Sequence, residues 1–197
     1  MREAPALRRY CLDHGYPEMA LYLTMDESNF AEILGDGSGA QARAREALRL
    51  AENVGAMPLL CARLSLCSAL AFDGEWEAMR DTAESALRDA RDARAGRFLE
   101  PANLHHLARA LLGLNRLDEA REWAVECFEF METTGDVGWY SLGYLTLSEI
   151  QLARGEPAAE VERTLSAFEA MIERTGMRLL EGRLREMRAR VTREAAR

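Results

Sequence analysis

Lysine does not occur in this chain of 197 residues; its 25 basic side chains, the histidines apart, are all arginine. That excludes a lysine nucleophile or Schiff base, and with them the lysine of a phosphate-binding loop. Four cysteines (Cys11, Cys61, Cys67 and Cys127) show no Cys-x-x-Cys spacing and stand among apolar positions, so they read as small buried thiols. No run of about 18 apolar residues occurs, which argues against a membrane span. The start, Met1 to Pro5, lacks the apolar core of a signal peptide, and a cytoplasmic location is expected. There is no Gly-x-Ser-x-Gly elbow, no His-Glu-x-x-His pair and no EF-hand loop. The chain is therefore expected to have no catalytic residues, no metal site and no cofactor, and not to be an enzyme.

Proline is scarce as well, with 5 residues, while hydrophobic side chains make up 48% and charged ones 29%, a balance that fits a helical rather than a disordered protein. A formal charge of −8 favours solubility and speaks against nonspecific nucleic-acid binding.

The stretch from Leu104 to Phe128 organises the rest. Leu104, Leu107, Ala108 and Leu111, then Ala120, Ala124, Cys127 and Phe128, follow the three-and-four spacing of a helix face. Leu114-Asn115-Arg116 breaks the two runs, and Asp118-Glu119 opens the second, where the helix dipole favours acids. This is a helical hairpin, which needs neighbours to bury its other faces.

Those neighbours recur along the chain. The prolines Pro17 and Pro58 stand 41 residues apart, as do Ala6-Leu7-Arg8 and Ala47-Leu48-Arg49. One series, Gly55, Gly96, Gly135 and Gly176, steps by 41, 39 and 41; a second, Gly35, Gly74, Asn115 and Gly155, steps by 39, 41 and 40. Glycine or asparagine at each point suits a helix C-terminus entering the left-handed conformation. Two interleaved series of one period predict a two-helix repeat of about 40 residues. The pattern predicts helices near 3–14, 17–34, 38–53, 57–73, 75–94, 98–113, 117–134, 137–153, 157–174 and 177–193. The polar stretch Thr24 to Asn29 is the place where one of them would break.

The expected organisation is a single domain, 1–197. A half repeat over 1–16 precedes repeats at about 17–55, 56–96, 97–135 and 136–176, and a cap helix follows over 177–197. Residues 3–14 match the second helix of a repeat whose first is missing. Their apolar face would then be covered by an upstream part of a longer polypeptide or by another chain, a homodimer partner included. In the last helix Leu180, Leu184, Met187 and Val191 form one apolar stripe opposite Arg183, Arg185, Arg190 and Arg197, as a solenoid cap requires.

The motif resembles the tetratricopeptide repeat. The resemblance rests on Leu107-Ala108, Leu111, Leu114-Asn115, Ala120, Ala124 and Cys127, where that family places Leu-small, a large residue, a turn and alternating small residues. Similar copies run through Leu66-Cys67, Leu70, Gly74, Trp76, Met79, Ala83 and Ala86, and through Leu147-Ser148, Ile150, Gly155, Val161, Leu165 and Phe168; Gly35, Ala40, Ala44 and Ala47 form a weaker first copy. The period near 40 exceeds the family's usual 34. In this it looks like the C-terminal helical arrays of bacterial signal-transducing ATPases, LuxR-type regulators and multidomain adenylate cyclases. The resemblance implies an all-α, right-handed α-solenoid of antiparallel helix pairs.

It also implies a role as a protein–protein interaction or scaffold module, as the sensor or scaffold segment of a larger bacterial signalling or transcriptional regulator. Small-molecule effector sensing is the alternative. In such arrays the first helix of each pair lines the groove, which here would bring together Tyr22, Met25 and Asn29, Leu64, Ser68 and Phe72, His105, Arg109 and Leu112, and Leu142, Leu145 and Glu149. The set is largely apolar and would suit a helical or apolar peptide, or an upstream domain of the same polypeptide. It lacks the Lys and Asn array with which some relatives hold a C-terminal carboxylate.

Other features have plainer readings. Adjacent helical positions point about 100° apart, so His105 and His106 do not chelate one metal easily, and a surface or groove role is expected. The loop Gly35-Asp36-Gly37-Ser38-Gly39 follows no strand and reads as a turn between helices. Trp76, Trp123 and Trp139 stand at packing positions or helix starts. From Arg174 to Arg197 eight arginines face three glutamates, which reads as the solvated face of a cap helix, with nucleic acid or an acidic partner surface as the other use.

Overall fold

The computed structural model describes residues 3–92, 97–134 and 142–195. Among the described residues there are ten α-helices and two short 3₁₀ turns, and no strand. The helices are α1 (Ala4–Asp13), α2 (Pro17–Ile33), α3 (Gly37–Ala51), α4 (Ala56–Asp73), α5 (Trp76–Asp92), α6 (Glu100–Gly113), α7 (Leu117–Thr134), α8 (Leu142–Ala153), α9 (Ala158–Thr175) and α10 (Glu181–Ala195). They lie where the periodicity places them, with 3₁₀ turns at Arg97–Leu99 and Arg178–Leu180 opening two of the expected starts. Gly96, Gly135, Trp139 and the expected helix start at 137 fall outside the described residues.

The chain forms two compact units, 1–106 and 107–197, with the division inside α6. In the first, each helix from α1 to α4 packs on its successor, and α2 also packs directly on α4. Contact between alternate helices is what stacking one hairpin on the next produces. Small side chains make it close: Ala40, Ala44, Ala47 and Ala51 form a fully buried stripe along α3. Ala47 and Ala51 share a cluster with Leu21 of α2 and Ala62 of α4. A second cluster joins Leu60 of α4 to Ala86 and Ala90 of α5 and to Leu99.

In the second unit α7 packs on α8, α8 on α9 and α9 on α10, and α10 returns to α8. The helix α10 thus stands to α8 as α4 stands to α2, one hairpin on. Its stripe Leu184, Met187 and Val191 is buried, with Leu180 just before it. Three rings hold the centre of this unit. Tyr144 of α8 stacks on Phe168 of α9 at 5.6 Å and meets Phe128 of α7 edge-on at 5.3 Å. Each such pair adds about 0.5–1.5 kcal/mol to the burial of the rings themselves. At Gly143 a Cβ would come within 3.2 Å of Met131 Cε and 3.3 Å of Cys127 Sγ, so α8 approaches α7 closely there.

One turn is reused. After α6 the amide of Arg116 donates to the carbonyl of Leu111, and that of Asn115 to Leu112. The same pair of bonds closes the turns at Gly35, Gly74 and Gly155, and also at Gly15. The residue at each point has a φ between 58° and 78°, the left-handed conformation this double bond requires.

The helix expected over 17–34 forms and runs through its polar stretch Thr24 to Asn29 unbroken. Its polar residues find partners without leaving the helix: Thr24 donates to the Ala20 carbonyl, and Ser28 donates across to the Ala40 carbonyl of α3, both buried. Glu27 meets Arg8 of α1 at 3.4 Å and Arg43 of α3 at 3.1 Å. The helix α4 is long and apolar enough, at a mean hydropathy of 1.4, to match a membrane span by length and composition. Half of it lies buried among α2, α3 and α5, and that burial accounts for its composition.

Candidate functional site

In the first unit α2 and α4 pack directly on each other, and each has one stripe of half-buried or exposed positions. Along α4 the half-buried or exposed positions Met57, Cys61, Leu64, Ser68 and Phe72 step by four, three, four and four, one stripe of the helix. Met57, Cys61 and Leu64 of this stripe also pack against the cluster that joins Leu60 to Ala86 and Ala90 of α5, while Phe72 is exposed. Along α2 the exposed positions Met19, Tyr22, Asp26, Phe30 and Ile33 form a matching stripe. Tyr22 ties the two together: its phenol is held above its ordinary range by burial, by the neighbouring Cys61 thiol and by Glu18, to which it donates at 3.4 Å. Burial likewise raises the Cys61 thiol. Phe72 is 49% exposed and lies over Gly37 at the start of α3, where a Cβ would stand 2.9 Å from its ring.

Of the groove residues expected in this unit, Tyr22 and Phe72 are exposed and Asn29, Leu64 and Ser68 half-buried. Leu64 also packs against the Leu60 cluster. Met25 is half-buried too; it lies one turn from the fully buried Leu21 and packs on the same cluster. His105 lies elsewhere than expected: at 6% exposure it sits inside the buried run Pro101 to His105, its ring 5.2 Å from that of the half-buried His106. It is a packing residue and not a surface one.

In the second unit Arg109, Leu112, Leu142 and Glu149 are half-buried. Leu145 is buried, since α7, α9 and α10 enclose α8 along Gly143 to Ser148. Beside it the Tyr144 hydroxyl donates to Glu132 at 2.8 Å, and burial together with that bond raises the phenol well above its usual range.

Asp26, Phe30, Ile33 and Cys61 were not among the expected groove residues. A signal for them exists, because 22, 26, 30 and 33 continue one helical stripe. It is hidden only if α2 is taken to stop near Thr24.

The remaining candidates take structural roles. Cys11, Cys67 and Cys127 are buried free thiols and Cys61 is half-buried; burial pushes the Cys67 thiol up to about 12. Asp36 caps α3, accepting from the Gly39 amide at 2.9 Å, so the glycine loop is a helix-to-helix turn. Trp76 and Trp123 are half-buried. In α10, Arg188 is spoken for by Glu162 and Glu169, and it holds the Glu169 carboxyl below its ordinary range, while Arg190 pairs with Glu194. No group of three His, Cys, Asp or Glu residues is placed to hold a metal ion among the described residues.

No protein-family description matches the chain, and no curated protein matches it in sequence. Among solved structures it is similar to a point variant of a Podosopora anserina protein described as a kinesin light chain with nearly identical TPR-like repeats. The two share 17% sequence identity at a TM-score of 0.52, over 89% of this chain and 96% of that one. At that identity the likeness speaks for the fold alone: an all-α array of helix pairs, as the ten described helices also have it.

Proposed function

We propose that this chain is a protein-interaction module that docks a peptide or helix from a partner. The observation that carries the proposal is the surface shared by α2 and α4. Monomeric domains seldom leave Tyr22, Phe30, Ile33 and Phe72 exposed on one side of two adjoining helices unless something covers them. Its exposed side chains are aromatic and aliphatic, which suits the apolar face of a peptide or helix. Selection from a displayed peptide library against the immobilised chain is the test. Enriched peptides should lose binding to the Tyr22→Ser and Phe72→Ser variants while the helical circular dichroism of both is retained. Failure to enrich any peptide, or binding indifferent to both substitutions, would sink the proposal.

In its finer form the proposal makes the array a sensor or scaffold segment of a larger bacterial regulator, a reading supported by the period near 40. An antibody against the chain should then detect a native protein well above 22.1 kDa in a lysate; a band at that mass would refute it. A small effector is the second reading. It is favoured by an open cleft of about 340 Å³ lined by Ala56, Leu59, Leu60, Asp89 and Asp92, near the lower end of the size range of ligand pockets.

A further inference from the structure

The uncovered face of α2 has a charge as well as a shape. Met19, Tyr22, Asp26, Phe30 and Ile33 span about 21 Å at 1.5 Å per residue, four turns of one helix side. Asp26 sits at the middle, one turn from Tyr22 and one turn from Phe30. It makes no ion pair or hydrogen bond among the described residues, although it stands between two rings. Of the acidic residues of α2, Glu18 and Asp26 are exposed, whereas Glu27 is buried between Arg8 and Arg43. The facing helix α4 offers a single cation, Arg63, which is committed to Asp89 of α5. At the far end of α4, Asp73 accepts from the neutral amide of Gln41 at 2.8 Å, so its charge is not cancelled there. The surface is an aromatic and aliphatic strip with carboxylates along it and no free cation from its own two helices.

From this we infer that the face takes a cationic amphipathic helix of a partner protein. Apolar residues of that helix at i, i+3, i+4 and i+7 lie against Tyr22, Phe30, Ile33 and Phe72, and an arginine or lysine reaches Asp26. The rings flanking Asp26 add a cation–π contribution to that pairing. A second copy of this chain is a poor occupant, because two copies of α2 would bring Asp26 and Glu18 against their like. The C-terminal arginines are no better suited: the apolar stripe of α10 is already buried in its own unit, leaving no anchors beside them. The inference rests on the docking role proposed above and adds the sign of the partner's charge.

The experiment compares two synthetic helices of about 15 residues, one of leucine and lysine and one of leucine and glutamate, by fluorescence anisotropy against the full chain. The lysine peptide should bind saturably and the glutamate peptide should not. Asp26→Lys should weaken the lysine peptide about tenfold or more, while Glu52→Lys, which removes the same charge at the end of α3, should leave it within about twofold. Equal weakening by both variants means only bulk attraction to an acidic protein, and overturns the inference. Glutamate-peptide binding that Phe72→Ser abolishes overturns the charge assignment but leaves the docking role standing. Binding of neither peptide at hundreds of micromolar overturns both. A chain that sediments as a dimer, and as a monomer once Asp26 or Phe30 is replaced, assigns the face to a second copy and overturns the inference too.

Discussion

Asn115 has a φ of 58°, the one positive value among the described non-glycine residues. It fills, with a side chain, a place that glycine fills at Gly35, Gly74 and Gly155. Asparagine tolerates the left-handed conformation because its amide can bond locally, but it still bears a Cβ that glycine lacks. Asn115→Gly should therefore gain a few tenths to about 1 kcal/mol in urea unfolding, and Asn115→Ala should lose about 1 kcal/mol. Equal stability of the two variants would mean that the turn places no demand on φ. This position was legible without coordinates, since a non-glycine that keeps the step of a glycine series has to meet the same dihedral requirement. Met25 was not legible in the same way. On α2 the groove and the core adjoin, and a side chain one position to either side of the boundary has the same sequence credentials.

Among the helices α1 is the least attached, with Cys11 its one buried residue. What fixes it is charge. Arg8 reaches Glu46 of α3 at 2.9 Å and Glu27 of α2 at 3.4 Å, and Glu27 is buried with only Arg8 and Arg43 as its partners among the described residues. Removing one of two counter-charges from a buried carboxylate costs more than the contact itself contributes. Arg8→Ala should lower stability by about 1–2 kcal/mol and speed amide exchange throughout α1 more than in α3. The double variant Arg8→Ala, Glu27→Gln should cost less than the sum of the single ones, because a neutral amide does not need the missing guanidinium. Strict additivity would remove the pair from the account. This network was out of reach of pattern reading, which saw Glu27 as part of a polar interruption in α2. The same polar residues hold the helix to its neighbours, and only their partners on α1 and α3 reveal it.

Across the whole chain the periodicity carried most of the architecture. The described helices and the turns at Gly35, Gly74, Asn115 and Gly155 follow from one glycine series; in the other, Gly176 closes α9 in the left-handed conformation, whereas Gly55, at a φ of 150°, opens α4 instead of closing α3. The division into two compact units was not visible, because α6 reads as an ordinary first helix and the cut falls inside it. The proposed docking face was half visible: Tyr22 on α2 and Leu64, Ser68 and Phe72 on α4 were read from the sequence, while Asp26, Phe30 and Ile33 were not. Each unit has its own kind of centre, alanine-lined in the first and ring-stacked in the second, and this difference has a practical use. Tyr144, locked between Phe128 and Phe168 with its hydroxyl on Glu132, resists ionisation for as long as that stack persists. In a Tyr22→Phe variant, which removes the other raised phenol, a tyrosinate absorbance that lags in an alkaline titration and then appears abruptly would mark the opening of the Tyr144 stack, a built-in optical clock for unit 2.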